Sequence, residues 1–107
     1  MEKYYNLING ELMPPASGEY FENINPADGS DIVGLFPKSS AKDIELAVQA
    51  AKNAFHLWSD MPPPGRGELI YKAGELLLAN QERLAKVIVR EMGKTMPESM
   101  GDIKSSA

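Results

Sequence analysis

The sequence predicts an α+β chain: a short run of strands and turns, opened by a β-hairpin, followed by three to four helices. Three observations carry that prediction. Asn9-Gly10 and Asp28-Gly29 stand between short apolar stretches in the first forty residues, as hairpin and turn signals do. From Ser40 onward, apolar residues recur at three- and four-residue intervals, the period of a helix with one apolar face. Breakers separate those helical runs: "MPPPG", Asn80 and Gly93. The expected organisation is a single partial domain, with strands and turns over 1–38 and helices over 39–107.

Taken in order, "YYNLINGELM" holds Asn9-Gly10 where a two-residue turn needs positive φ at both central positions. "PPASGEY" reads as a loop, and "YFENIN" and "DIVGLFP" as two more strands joined through "PADGS". Such a small sheet is marginal unless it packs on something. The first helix opens at Ser40, with Asp43 three residues on as in a capping box. Its stripe is Ile44, Ala47, Val48, Ala51, Ala54, Phe55 and Trp58. The prolines of "MPPPG" end it, and a second helix is expected from about Arg66, with Leu69, Ile70, Ala73, Leu76 and Leu77 as its stripe. Asn80 marks a boundary and cap. A third helix uses Leu84, Val87, Ile88 and Glu91 as its inner edge and ends at Gly93, since glycine accepts the left-handed conformation at low cost. Lys94 is placed to meet the last carbonyls. Thr95 or Met96 caps a fourth helix with Pro97 in its first turn, where a missing N–H costs nothing.

Composition sets limits on function. The 107 residues carry a net charge of −4 and no basic run, which argues against nucleic acid as a partner. There is no cysteine, so disulfides, thiolate metal sites and a cysteine nucleophile are excluded within these residues, and the composition suits the cytoplasm. No apolar run approaches the roughly 20 residues of a membrane helix, so no membrane partner is expected. The N-terminus carries no apolar stretch of signal-peptide length.

Candidate chemistry is sparse. His56, the only histidine, sits on a polar helix face with no oriented partner suggested by spacing, which a general base requires. Ser39 and Ser40 read as caps and Ser17-Gly18 as a turn. Nothing like a nucleophile elbow surrounds them or Ser59. "PPPGRGE" lacks the Gly-Lys-Ser/Thr ending of a P-loop, and Arg66 within it is expected to pair with a carboxylate or to hold a helix start. "GKT" at 93–95 resembles the end of a Walker A motif, but helical residues precede it and Ile88 stands where the first glycine belongs. Met92, Met96 and Met100 fall at helical spacing and suit packing. No catalytic and no cofactor-binding residue is assigned.

The order and spacing of "LINGELM", "SGEYFENINPADGSDIVG", "SSAKDIELAVQAAKNAFHLW" and "RGELIYKAGELLLANQERLAKVIVREMGKTMPESMGD" resemble the N-terminus of the NAD(P)-dependent aldehyde dehydrogenases, in the manner of the semialdehyde dehydrogenases. The resemblance runs from about Leu7 to the last residues. It implies that the chain is the N-terminal part of the family's cofactor-binding α/β domain, and that the complete protein oxidises an aldehyde to a carboxylic acid. A cysteine thiolate would attack the aldehyde, NAD or NADP would take the hydride, and a glutamate would activate water. Those groups lie downstream in the family, so the 107 residues alone are expected to be inactive and to hold no cofactor tightly. The partners implied are the rest of the dehydrogenase chain and further copies in a homo-oligomer. The missing chain would cover apolar helix stripes that are expected to stand exposed here. The resemblance also implies a monovalent-cation site, with backbone carbonyls of Asn23 and Ile24 and the carboxylate of Glu91 as ligands. The alternative function is a non-catalytic helical module that binds a partner or its own copy.

Overall fold

The computed structural model describes residues 1–107 and follows the expected α+β order. The elements are β1 (Asn6–Ile8), β2 (Glu11–Met13), β3 (Tyr20–Ile24), β4 (Ile32–Pro37), α1 (Ala41–Asp60), α2 (Pro63–Ala79), α3 (Gln81–Met92) and α4 (Met96–Ser106). β1 pairs with β2 and β3 with β4, as two two-stranded sheets. No helix is long and apolar enough to cross a membrane. The backbone groups into two compact units, one of residues 1–23 and 32–60, the other of residues 24–31 and 61–107.

In the first unit, Asn6, Leu7 and Ile8 face Met13, Leu12 and Glu11 in an antiparallel register. Asn9 and Gly10 therefore form the two-residue turn, with φ of 53° and 75°, as their type predicts. Residues 2–4 add to β4 in parallel: Tyr4 N–H donates to the Leu35 carbonyl at 2.8 Å and Leu35 N–H to the Glu2 carbonyl at 2.9 Å. The Tyr4 ring stacks on Phe36 with centroids 4.6 Å apart. Ile8 and Val33 are buried.

Helix α1 starts after Ser40, and Asp43 carries more than the capping box required. Its Oδ2 accepts the Ser40 N–H at 2.8 Å and the Ser40 hydroxyl at 3.2 Å, while its Oδ1 accepts the Ala16 N–H at 2.9 Å. Asp43 is the one buried residue of α1. Ile44, Val48, Phe55 and Trp58 of the stripe are exposed, together with Leu46 and Leu57.

In the second unit, α2 begins three residues earlier than the sequence suggested. Pro63 and Pro64 occupy its first turn, where no N–H has an intrahelical acceptor, so the prolines open the helix instead of preceding it. Asn80 acts as a C-cap: its side-chain amide donates to the Leu76 carbonyl at 2.8 Å, and it gives α3 no side-chain cap. Helix α3 packs chiefly on α4. Its buried residue is Ala85, whereas Val87 and Glu91 of the expected inner edge are exposed. Ser99 on α4 is buried as completely as Ala85, and small residues allow two helices to approach closely, so the contact face turns toward the alanine. Gly93 closes α3 at φ 74°, its N–H on the Val89 carbonyl, and Thr95 caps α4 by accepting the Glu98 N–H at 3.4 Å. Ile103 completes the small core on α4.

Candidate functional site

The polar geometry of the second unit is concentrated where the segment 24–31 meets the end of α3. The turn is built by side chains that mimic backbone. Asn25 Oδ1 accepts the Ala27 N–H at 2.9 Å, and Asp28 Oδ1 accepts the Ser30 N–H at 3.0 Å and its hydroxyl at 2.6 Å. Asn25 N–H donates to the Asp31 carbonyl at 2.9 Å and closes the loop. Asp28-Gly29 does mark the turn, but Gly29 keeps its φ outside the left-handed region, so the Asp28 side chain makes the bend.

Asp31 then ties the loop to α3. Arg90 Nε donates to Asp31 Oδ2 at 2.8 Å and an Arg90 terminal amino group to Oδ1, a fork on a carboxylate. The Asn25 amide adds a bond to Oδ2 at 3.2 Å. The bonds from Arg90, then from Asn25, lower the Asp31 pKa to about 2. Gly93 sits against this loop, since a Cβ there would lie 3.4 Å from the Pro26 ring. Beyond the corner, Lys94 does not turn back to the α3 carbonyls. It reaches forward to Asp102 Oδ2 at 2.7 Å, because the carboxylate on α4 offers a full charge where carbonyls offer partial ones, and that bond raises the Lys94 pKa.

Asn23 and Ile24 are the last residues of β3, Asn23 in the first unit and Ile24 in the second. Glu91 is exposed in the last turn of α3, next to Arg90. No group of three or more His, Cys, Asp or Glu side chains is arranged to hold a metal ion. His56 is exposed on α1, its ring roughly perpendicular to that of Phe55. Of the two expectations for Arg66, no pairing with a carboxylate is seen, and its Nε is enclosed without a hydrogen-bond partner; the residue does stand in the first turn of α2. Asp31, Arg90 and Asn25 carry the geometry, and the first two escaped sequence reasoning because they are 59 positions apart.

A pH test follows from the fork. Asp31 has a depressed folded pKa, so its contribution to stability is full above the ordinary value of 3.8 and is lost as pH falls toward about 2. Replacing Arg90 by alanine is expected to return the Asp31 carboxyl toward its ordinary range, read by carboxyl NMR. Midpoints for Asp31 that agree in the two proteins would show that the fork does not form in solution.

This local architecture can be set beside known proteins. The signature of the Aldehyde dehydrogenase family matches residues 13–107. Alpha-ketoglutaric semialdehyde dehydrogenase of Bacillus subtilis is 41% identical over 99 residues, covering 92% of this chain and 20% of that protein. Malonate-semialdehyde dehydrogenase of Bacillus cytotoxicus is 38% identical over 104 residues, covering 97% and 21%. Among solved structures, the NAD-dependent aldehyde dehydrogenase from Sinorhizobium meliloti superposes with a TM-score of 0.91 at 34% identity, covering 96% of this chain and 21% of that one. The chain thus spans about a fifth of the length of the relatives it matches. The family match takes in β3, β4, all four helices and the corner at 24–31, and the chain belongs to the aldehyde dehydrogenase family.

Proposed function

We propose that this chain serves as the N-terminal part of an NAD(P)-dependent aldehyde dehydrogenase that oxidises a semialdehyde to a carboxylic acid. The observation that carries the reading is the 41% identity to a semialdehyde dehydrogenase across 92% of the chain. NAD or NADP, when bound to the complete enzyme, accepts the hydride. The chain has no cysteine and so contributes no thiolate nucleophile. Its part is structural: the corner between residues 24–31 and α3 fixes the local backbone through the Asp31–Arg90 fork. A cytoplasmic homo-oligomer is part of the same reading.

The cation site belongs to it as well. Carbonyl oxygens of Asn23 and Ile24 and the carboxylate of Glu91 would supply an all-oxygen donor set, which suits a hard monovalent ion such as Na⁺ or K⁺. Glu91→Gln is expected to abolish any thermal stabilisation by K⁺ or Na⁺ over a large organic cation at equal ionic strength.

The direct test is spectrophotometric. The purified 107-residue chain is expected to give no aldehyde-dependent NADH or NADPH. The full reading frame is expected to give it with alpha-ketoglutaric or malonate semialdehyde. Turnover by the 107 residues alone would overturn the reading. A second reading, a self-associating helical module, draws on the exposed Ile44, Val48, Phe55 and Trp58 of α1. A concentration-independent monomer in sedimentation would dismiss it.

A further inference from the structure

Two turns of this chain place a glycine directly after a side-chain amide or carboxyl, and the two are held differently. At Asp28-Gly29, the Ser30 hydroxyl and N–H both bond the Asp28 carboxyl and hold it below the ordinary carboxylate range. At the tip of the β1–β2 hairpin, Asn9 and Gly10 are exposed, and the Asn9 side chain makes no hydrogen bond. The space where a Gly10 Cβ would stand is empty.

An asparagine amide is an acyl group within reach of the next backbone nitrogen. Glycine obstructs that nitrogen least, having no Cβ. The other asparagines are less open to attack. Leu7, Ile24, Ala54 and Gln81 carry side chains beside their N–H groups, and Pro26 has no N–H at all. The amides of Asn6, Asn25 and Asn80 are also tied, to Ser39, to Asp31 and to the Leu76 carbonyl.

The turn that exposes Asn9 also restrains it. A five-membered ring through the Gly10 nitrogen needs that atom and the Asn9 Cβ on the same side of the Cα–C bond. Positive φ at both central residues makes this a type I′ turn, in which ψ at the first is about +30°, the mirror of type I. That angle sets the two atoms on opposite sides, so the ring closes only after the hairpin opens. Each strand of the pair is three residues long, which keeps such opening within ordinary local fluctuation.

We propose that Asn9-Gly10 is a site of spontaneous modification, at which Asn9 deamidates through a cyclic imide when the β1–β2 hairpin opens. The Gly10 nitrogen gives its proton to water or hydroxide and bonds to Asn9 Cγ; the Cγ–Nδ2 bond breaks and ammonia leaves. One water then opens the imide at either carbonyl, to aspartate or to isoaspartate, with no change of oxidation state. Aspartate before glycine still suits the turn. Isoaspartate routes the main chain through Cβ and Cγ, which adds one carbon atom to a turn whose length fixes the pairing of Ile8 with Glu11.

The test is ageing of the purified chain at mildly alkaline pH, followed by peptide mass mapping and isoaspartate detection. The mass rise of amide to acid is expected on the peptide that holds Asn9, and several-fold faster in urea that unfolds the chain. The aged isoaspartate form is expected to lose exchange protection at the Glu11 N–H, which this turn pairs with the Ile8 carbonyl. The variant Asn9→Asp, with the same charge and a normal backbone, is expected to keep that protection and to show no early mass rise. A first mass rise at another asparagine would overturn the site. A rate that urea leaves unchanged would overturn the dependence on hairpin opening. An isoaspartate form that retains Glu11 protection would overturn its effect on the hairpin.

Discussion

Replacing Asp43 by alanine is expected to be the most damaging single change in the first unit. The residue is 5% exposed and its carboxylate accepts three hydrogen bonds, two of them from the backbone N–H groups of Ser40 and Ala16. Alanine would leave both N–H groups without their acceptor, remove the cap of α1 and release the loop before β3 from the helix. The thermal midpoint is expected to fall by about 5 °C or more. Amide exchange at Ala16 and Ser40 should accelerate together, although they are 24 positions apart in the chain. Asparagine, which keeps one acceptor oxygen, should lie between. The pH dependence has a definite sign. The backbone bond from Ser40, then that from Ala16, lowers the Asp43 pKa, so the stabilisation holds above the ordinary carboxylate value and fades as pH falls below it. An alanine variant with unchanged exchange at Ala16 would show that the loop is held by other contacts.

Gly34→Ala is expected to detach the N-terminal segment from β4. A Cβ at Gly34 would stand 2.6 Å from Cε2 of Tyr4 and 3.0 Å from the Glu2 carbonyl oxygen. The ring can swing only by leaving its stack on Phe36, and the Glu2 carbonyl can retreat only by lengthening its bond with Leu35 N–H. Overpacking of this kind costs about 1–3 kcal/mol. The strain is one of space, since the φ of Gly34 is not in the left-handed region. Loss of the Tyr4–Phe36 ring contact and of protection at Tyr4 N–H is the expected NMR signature. A Tyr4→Ala, Gly34→Ala double variant should regain the Leu35 bond only if the ring is the main obstacle. Equal protection at Tyr4 in the glycine and alanine proteins would contradict the packing.

Much of the fold was legible because its signals act over a few residues. Asn9-Gly10 accepts positive φ at low cost and sits where the hairpin needs it; Gly93 ends α3 for the same reason; Thr95 and Pro97 open α4 through groups adjacent in the chain. The start of α2 was misplaced because prolines break a helix interior yet suit a first turn, and only the structure shows which applies. The face of α3 was half legible: Leu84 and Ile88 lie on its less exposed side, but hydropathy also points to the exposed Val87, while close approach to α4 selects Ala85. Around the candidate site, Asn23, Ile24 and Glu91 came from resemblance, whereas the bonds that shape the corner came from geometry.

The sequence by itself determined the order of strands and helices, most of their ends and the family, because propensity, capping and motif order are carried by neighbouring residues. Only the tertiary structure decided that Asp43 holds Ala16, that Arg90 grips Asp31, that Lys94 turns to Asp102, and that the Nε of Arg66 is left without an acceptor. Three of these are bonds between positions 8 to 59 apart and the fourth is a bond unmade. Pairing at such separations depends on where the backbone has already been placed, which no local pattern of residues encodes.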